Sequence, residues 1–369
     1  MLSPSIEIQI IATVVAMACS TLGVFLVLRK MSMMCDSITH TVLLGIVFAF
    51  FVTKDLSSPL LLIGATLIGV VTVWLTELLK NTRLLGNDAA IGVVFPLLFS
   101  IAIILISVYA GNVHLDTRCV LLGELAYAPF DRTMFLGMNL PSSLVTMGFL
   151  LVLNLLFVII FYKELKLSTF DGMLAASMGF MPVLLHYLLM TLVSLTTVGA
   201  FEAVGSILVI AFMVGPPCAA YLLTKKLHLM IIYSCIIGGA SGVLGYKLAQ
   251  LLDASISGCM AMVIGIIFFV ILILSPRNGI ISTLVYRKKQ RFTFAKTAML
   301  IHILKRQNKV EGTPIQVEQL HLNWKASYID KIKQQLEAEK QIVIQQDGVV
   351  LTADGAAHAT EYLQQLGLN

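Results

Sequence analysis

The chain has 369 residues, of which 58% are hydrophobic and only 12% are charged, and its mean hydropathy is +0.92. These values exclude an ordinary soluble domain and predict a polytopic membrane protein. The net charge of +5 lies wholly in the last quarter, because residues 1–276 carry 12 basic and 12 acidic side chains and residues 277–369 carry 13 and 8.

Apolar runs long enough to cross about 30 Å of hydrocarbon follow one another through residues 1–276. Separate runs lie at 6–28, 33–52, 59–79, 89–110, 140–162, 229–250 and 256–275. A longer stretch, Pro182 to Leu223, would measure about 60 Å as one helix, so we expect it to turn back near Val198 to Ala200. The pattern predicts nine membrane helices, with eight or ten as alternatives. No basic segment precedes the first run, which favours a retained span over a cleaved signal peptide.

An acid and an imidazole interrupt the second apolar run, in MMCDSITHTVLLG from Met33 to Gly45. Asp36 and His40 are four residues apart, which places them on one face of a helix with about 5–6 Å between their Cβ atoms. An ionisable side chain inside a membrane span is a functional candidate by default, and this pair is close enough to touch one divalent cation. The alternative is structural: Asp36 caps the start of the helix, and His40 is the hydrogen-bonding partner of the Asp36 carboxylate.

The connection from Gly111 to Asn139 is too long for a simple turn. Its apolar run is bounded by acids and is too short to cross a bilayer. We expect it to lie at the outer surface or to dip part way in, with His114, Asp116 and Glu124 as polar groups at an entrance. The alternative is an amphipathic loop whose charges are simply solvated.

A short helix is predicted in the connection between the fifth and sixth spans. Ser168 or Thr169 can cap its start, and Asp171 suits its first turn through the helix dipole. Ala175 favours a helix, and Gly179 is placed to end it. A short helix between two spans needs a partner that covers its apolar face.

Basic residues indicate the orientation of the spans, because cytoplasmic loops carry the excess of Lys and Arg. One side of the nine-span arrangement has Arg29, Lys30, Lys80, Arg83, Lys163, Lys166, Lys225 and Lys226, and the other has Lys54, Arg118, Arg132 and Lys247. This bias predicts an outside N-terminus and a cytoplasmic C-terminus.

Glu202, expected in the tight connection after Gly199, is a candidate for an outer gate. The alternative is that an acid at a helix end near water has no function.

The sequence contains no G-x-x-x-x-G-K-[ST] phosphate-binding loop. The glycine-rich stretch GGASGVLGY is typical of close helix packing in membranes rather than of a nucleotide site. If transport by this chain is driven by ATP, another chain must bind the nucleotide.

Several blocks resemble the permease subunits of bacterial ABC importers for manganese, zinc and iron. The run MCDSITHTVLLGI is similar to the D-A-L-S-H-A-V-L-P-G-type signature of that family. Further similar blocks follow in order: NDAAIGVVFPLLFSIAIILIS, NVHLDTRCVLLGE, ELKLSTFDGMLAASMGF and VGAFEAVGSILVIAFMVGPPCAAYLLT. The resemblance covers residues 1 to about 280, and Leu44 and Cys35 depart from it where the signature commonly has Pro and Gly. We interpret Cys35 as a packing residue.

The resemblance implies a transporter permease rather than an enzyme, located in the bacterial plasma (inner) membrane. It implies a permease dimer, formed with a second copy or a sister permease, that binds cytosolic ABC ATPases and receives metal from a lipoprotein or periplasmic protein. It places the signature ligands on Asp36 and His40, and no cofactor is expected beyond the transported Mn, Zn or Fe. The coupling helix that docks on the ATPase falls on Thr169, Phe170, Asp171, Ala175 and Gly179.

The composition changes after Pro276, and we predict a membrane domain at 1–280 and a cytosolic domain at 281–369. The tail pattern predicts helices at 293–307, 316–321, 325–340 and 354–366, and a hairpin of QIVIQ and VVLTA joined at Asp347 and Gly348. This order, with TADGAAHA, resembles the winged helix of diphtheria-toxin-repressor-type regulators. The predicted fold class is therefore an all-α polytopic membrane protein with a small α+β winged-helix-like domain.

Three function classes remain open. The similar blocks favour an ABC metal-import permease, whereas hydropathy with Asp36 and His40 alone would also fit a secondary metal transporter or channel. The tail alone would fit a membrane-tethered transcription regulator that reads DNA with residues 325–333. Against this, the same helix carries Asp330, Glu337 and Glu339, and the basic charge of the tail equally suits anionic membrane lipid.

Overall fold

The computed structural model describes residues 3–54, 60–109, 125–135, 138–276, 279–307, 324, 326–345 and 348–365. The chain divides into two compact units, Met1–Gly279 and Ile280–Asn369. Each unit has its own hydrophobic core, and each is described by itself below.

The first unit is a bundle of helices with one small hairpin. Its helices are α1 Pro4–Leu28, α2 Met33–Thr53, α3 Leu60–Asn81, α4 Asn87–Tyr109, α5 Ser142–Ile160, α6 Tyr162–Phe170, α7 Gly172–Ser177, α8 Pro182–Val204, α9 Ser206–Leu223, α10 Leu227–Leu252 and α11 Ile256–Leu274. Strands β1 Arg132–Phe135 and β2 Met138–Pro141 pair in antiparallel fashion. In the described part of the chain, nine helices are long and apolar enough to cross a membrane, namely all of these except α6 and α7. The prediction of about nine spans is confirmed.

Helix α1 lies at the centre of this unit and contacts α5, α8, α9 and α10. Glycines on α10 allow its close approach: a Cβ at Gly238 would lie 2.8 Å from Ser20 Oγ, and one at Gly242 would lie 3.4 Å from Ala12 Cβ. Membrane helices associate through close packing rather than through hydrophobic burial, so small residues collect at such contacts. The interpretation of the glycine-rich stretch as a packing surface is confirmed.

The turn within the long apolar stretch is not where the sequence predicted it. Helix α8 continues through Val198 to Ala200, and the break comes at Gly205, whose φ of 81° and ψ of 162° lie in a region that only glycine adopts readily. Gly199 instead lies inside the helix, where a Cβ would approach Leu150 Cδ1 of α5 at 2.7 Å. Close packing, not chain reversal, explains the glycine at 199.

Replacing Gly205 by alanine is expected to destabilise the membrane unit by on the order of 1–3 kcal/mol. The reason is that an L-residue must hold a strained backbone conformation at the α8–α9 junction. Thermal unfolding of the detergent-solubilised protein measures the effect. Gly148→Ala is the matched control, because a Cβ there meets no atom within 4 Å. Equal unfolding temperatures for both variants would contradict the role given to Gly205.

The second unit contains three helices and a two-stranded hairpin in its described residues. They are α12 Ile280–Gln307, α13 Ala326–Ala338, β3 Ile342–Gln345, β4 Gly348–Leu351 and α14 Ala353–Gln365. The strands pair in antiparallel fashion, with Ile342 opposite Leu351 and Gln345 opposite Gly348. The predicted pair of strands is confirmed. The predicted helix at 316–321 and the turn residue Asp347 lie outside the described residues.

The core of this unit comes from all of its elements. Met299 and Ile303 of α12 pack with Ile332 and Leu336 of α13, beneath the hairpin. Lys296 Nζ donates to Glu339 Oε1 at 2.6 Å, and this hydrogen bond lowers the pKa of Glu339 below its ordinary value. The pair therefore stabilises the unit at neutral pH and loses that contribution as acid protonates the carboxylate.

Helix α12 begins at Ile280, well before the predicted start at 293. The sequence pattern missed its first turns because residues 280–294 lack the apolar spacing of a buried helix face, and several of their apolar side chains are exposed. Helical periodicity marks only the part of α12 that packs in the core, from Ala295 onward.

Candidate functional site

Asp36 and His40 lie on one face of α2, as their spacing predicted. His40 Nε2 is 3.5 Å from Asp36 Oδ1, and their side chains are 33% and 36% exposed. Two donors that each bind one tetrahedral zinc at about 2.1 Å lie about 3.4 Å apart. The two side chains are therefore already spaced to share one ion, and both are accessible to it.

The capping alternative for Asp36 is wrong. Ser32 occupies the N-cap position of α2, so Asp36 lies beyond it, in the first turn, where the helix dipole favours a negative charge. Thr39 Oγ1 donates to the main-chain oxygen of Asp36 at 2.7 Å, which leaves the carboxylate unoccupied by this neighbour. Asp36 is therefore not the capping residue of α2.

Aromatic rings of α4 surround the imidazole of His40. The ring centroids of Phe95 and Phe99 lie 5.5 and 6.0 Å from the centroid of His40. These contacts restrict the orientation of the imidazole and place apolar material beside it, in which the attraction of a carboxylate for a cation is stronger than in water.

Two ligands make an incomplete site. Within the described ranges, no group of three or more His, Cys, Asp and Glu side chains is placed to hold a metal. An ion at Asp36 and His40 would take its remaining ligands from water or from groups outside those residues. Few protein ligands favour weak binding, which suits an ion that must be released.

Cys35 points away from the pair. It is completely buried, and its Sγ lies 3.9 Å from Thr197 Oγ1 on α8. This position agrees with its interpretation as a packing residue.

Of the four other residues proposed for an outer gate or an entrance, Glu202 alone lies within the described residues. Glu202 lies in the last turn of α8 and is exposed, rather than in a connection. His114, Asp116 and Glu124 lie outside the described residues.

The predicted coupling helix consists of two pieces. Helix α6 ends at Phe170, and Asp171 caps the separate helix α7 by accepting a hydrogen bond from Leu174 N at 2.9 Å. Ser168 and Thr169 were predicted to cap it, which is wrong, because both lie in the last turn of α6. The segment ends at Gly179, which has a φ of 87° as expected of a terminating glycine.

Most apolar side chains of this α6–α7 segment are exposed. Phe170 is 63% exposed, Met173 is 88% exposed and Met178 is 61% exposed, whereas Ala175 is completely buried. The exposed face therefore runs through Phe170, Met173, Leu174 and Met178. Ala175 belongs to the opposite, packed face.

The sequence missed a polar cluster formed by Arg29, Glu77, His186 and Tyr187. These side chains come from the end of α1, from α3 and from α8, and they meet near α6. No local spacing could have predicted the cluster, because its members are far apart in the chain; the one available signal was the presence of ionisable residues near the ends of apolar runs.

Comparisons with known proteins show to which family the chain belongs. The model of the ABC 3 transport family matches residues 6–275. The zinc transport system membrane protein TroD of Treponema pallidum is 41% identical over 96% of this chain and 98% of its own length. The manganese transport system membrane protein MntD of Bacillus subtilis is 45% identical over 75% of this chain and 95% of its own length.

A solved structure, PsaBC from Streptococcus pneumoniae in complex with Fab, matches with a TM-score of 0.63 and 27% identity, over 75% of this chain and 94% of that one. The relatives are named as membrane proteins of transport systems, not as enzymes. With nine apolar helices in the described residues, they indicate a multi-pass membrane permease. The matched region contains the whole Asp36–His40 face and the α6–α7 segment, and on this evidence the chain belongs to the ABC 3 transport family.

Proposed function

We propose that the chain is the permease subunit of an ATP-driven importer that moves a divalent transition metal into the cytoplasm by alternating access. The observation that carries the proposal is the Asp36–His40 pair, whose donor atoms are 3.5 Å apart on one face of a membrane helix. Asp36 supplies the negative charge that a cation needs in a medium of low dielectric constant, and His40 supplies a ligand of intermediate softness. Together they form one metal-binding site along the transport pathway.

Zinc and manganese are the proposed cargo. The names of the two relatives give zinc for TroD and manganese for MntD. A carboxylate with an imidazole binds either ion, so the ligand types leave both open. Iron is also bound by such ligands, but neither of these names supports it.

The transport cycle requires partners that the chain itself does not supply. A separate cytosolic ATPase docks on the α6–α7 segment, an extracytoplasmic metal-binding protein delivers the ion, and a second copy or a sister permease completes the pathway. Glu202 lines the outer gate, with His114, Asp116 and Glu124 nearer the entrance. The basic residues that flank the spans support a cytoplasmic C-terminus.

Reconstitution tests this proposal. The chain is co-expressed with candidate ATPase and binding-protein partners, inserted into liposomes and supplied with zinc, manganese or iron in turn. ATP-dependent accumulation of zinc or manganese is expected. Metal flux that needs neither ATP nor a partner would instead support a secondary transporter or channel.

The second unit is a regulatory domain in this proposal, and we assign it a winged-helix-like arrangement. The support is the order of α13, the β3–β4 hairpin and α14. DNA binding is the weaker alternative for this unit, because α13 carries Asp330 and Glu337 and its neighbour Glu339 is paired with Lys296. Retention of DNA by the full chain would favour the alternative.

Truncation after Val285 is expected to leave a permease that assembles and transports. The reason is that the first unit has its own core, and MntD is matched over 95% of its length by only 75% of this chain. Metal accumulation per assembled complex should stay close to that of the full chain, while its regulation or stability changes. Loss of membrane insertion or of transport would make the second unit part of the transport machinery.

A further inference from the structure

Arg29 forms the centre of a polar cluster that joins four helices. It lies directly after α1 and directs three nitrogens to three different acceptors. Nε donates to Thr169 Oγ1 at 3.2 Å, Nη2 donates to Ser168 Oγ at 3.1 Å, and Nη1 lies 3.0 Å from His186 Nδ1. The planar guanidinium thus holds the last turn of α6 against α8, a geometry that a lysine could not reproduce.

The same imidazole continues the cluster to α3. Because the guanidinium can only donate, Nδ1 of His186 accepts, and the ring proton is therefore assigned to Nε2. Nε2 lies 2.6 Å from Glu77 Oε1, although the N–H is not aligned as in an ideal hydrogen bond. Tyr187 OH donates to the other oxygen, Glu77 Oε2, at 2.7 Å. The imidazole thus bridges a cation on one side and an anion on the other.

Two further contacts connect α3 and α8 to the helix that carries the metal ligands. Thr72 Oγ1 of α3 donates to Thr41 Oγ1, the residue after His40, at 2.9 Å. Thr197 Oγ1 of α8 lies 3.9 Å from the sulfur of Cys35, the residue before Asp36. The elements that Arg29 and His186 join therefore contact α2 on both sides of the Asp36–His40 pair.

We propose that Arg29, His186 and Glu77 are positioning residues that transmit movement of the α6–α7 segment, through α3 and α8, to the metal ligands on α2. The inference rests on the proposed function, in which that segment docks on the ATPase. Its physical basis is that a partly buried cluster of paired polar groups moves as a unit, since separating its members leaves a charge or a donor unpaired. A sliding apolar contact would not impose that constraint.

The test measures metal ions transported per ATP hydrolysed by the full complex in liposomes. Arg29→Ala is expected to lower this ratio by at least about fivefold, the lower end of coupling between distant sites. Arg29→Lys and His186→Leu should also lower it. The ratio for His186→Gln should be much closer to the wild-type ratio than that for His186→Leu, because an amide can accept from Arg29 and donate towards Glu77.

Glu7→Gln is the matched control. It removes the negative charge from a comparably buried ion pair, Glu7 with Arg132 at 2.8 Å, at the other end of α1. Thermal unfolding should show that Glu7→Gln and Arg29→Ala both destabilise the chain, whereas only Arg29→Ala lowers the ratio. Equal ratios for wild type and the Arg29 variants, or equal losses in Glu7→Gln, would overturn the proposal and leave a purely structural cluster.

A double variant separates a linked network from independent contacts. Arg29→Ala combined with Glu77→Gln should lower the ratio no further than the more severe single variant, whereas multiplied losses would contradict the network. If Arg29→Ala does not assemble, the same comparison is made with Arg29→Lys. If the wild-type complex itself shows no ATP-dependent uptake, the proposed function fails, and that result is distinct from any difference among variants.

Discussion

Replacing Asp36 by asparagine is expected to reduce ATP-dependent metal accumulation by at least about 100-fold, because even residues that only support a metal ligand cost 10–100-fold when lost. Asparagine keeps the shape of the side chain and removes the charge that compensates the ion. His40→Ala should have a similar effect, because a single remaining ligand cannot hold the ion. Helix packing should survive both changes, since each side chain is about one-third exposed.

Metal accumulation in liposomes, normalised to the amount of assembled complex, measures this effect. Cys35→Ser is the matched control on the same turn, because its side chain is buried against α8. It should leave the preference between zinc and manganese unchanged. Unaltered uptake in both the Asp36 and His40 variants would remove the site from the pathway, and a changed metal preference in Cys35→Ser would make the thiol a ligand.

Replacing Met173 by glutamate is expected to abolish stable binding of the ATPase. Met173 is 88% exposed on the apolar face of the α6–α7 segment. An unpaired charge buried in an interface costs about 3–5 kcal/mol, which corresponds to more than about 100-fold in affinity. Phe170→Glu should act in the same way. Ala175→Glu is uninformative, because that residue is completely buried and its replacement would disrupt the segment itself.

Co-purification of the ATPase with the tagged permease, and stimulation of ATP hydrolysis by the loaded binding protein, report this contact. Leu251→Glu is the control, since Leu251 is an 82% exposed apolar residue near the C-terminal end of α10, the opposite side of the bundle in the proposed orientation. It should retain the ATPase. A Met173→Glu permease that still co-purifies with a responsive ATPase would show that the contact lies elsewhere.

The sequence predicted those features that depend on residues close together in the chain. Apolar run length gave about nine spans, because the thickness of the bilayer sets the length of a crossing helix. The interval of four between Asp36 and His40 placed them on one face, because helix geometry fixes that neighbour relation. Gly179 was likewise identified as a terminator from its residue type and position.

Local pattern was misleading where several interpretations fit the same residues. Gly199 and Gly205 are both plausible turns by type, and only packing against Leu150 shows that the first lies inside a helix. Ser168 and Thr169 are good helix caps in isolation, yet their hydroxyls accept from Arg29 instead. Ala175 was assigned to a docking face, but the tertiary structure buries it.

The tertiary structure alone decided which distant side chains meet. Arg29 and His186 are separated by 157 positions, and no periodicity or spacing relates them. Their contact requires α1, α6 and α8 to pack together at one point. That packing depends on the side-chain contacts of many helix surfaces. The sequence by itself determined the membrane class, the spans and the spacing of Asp36 and His40, because these follow from hydropathy and helix geometry. The contacts that connect α3 and α8 with α2 and the α6–α7 segment exist only in the folded bundle.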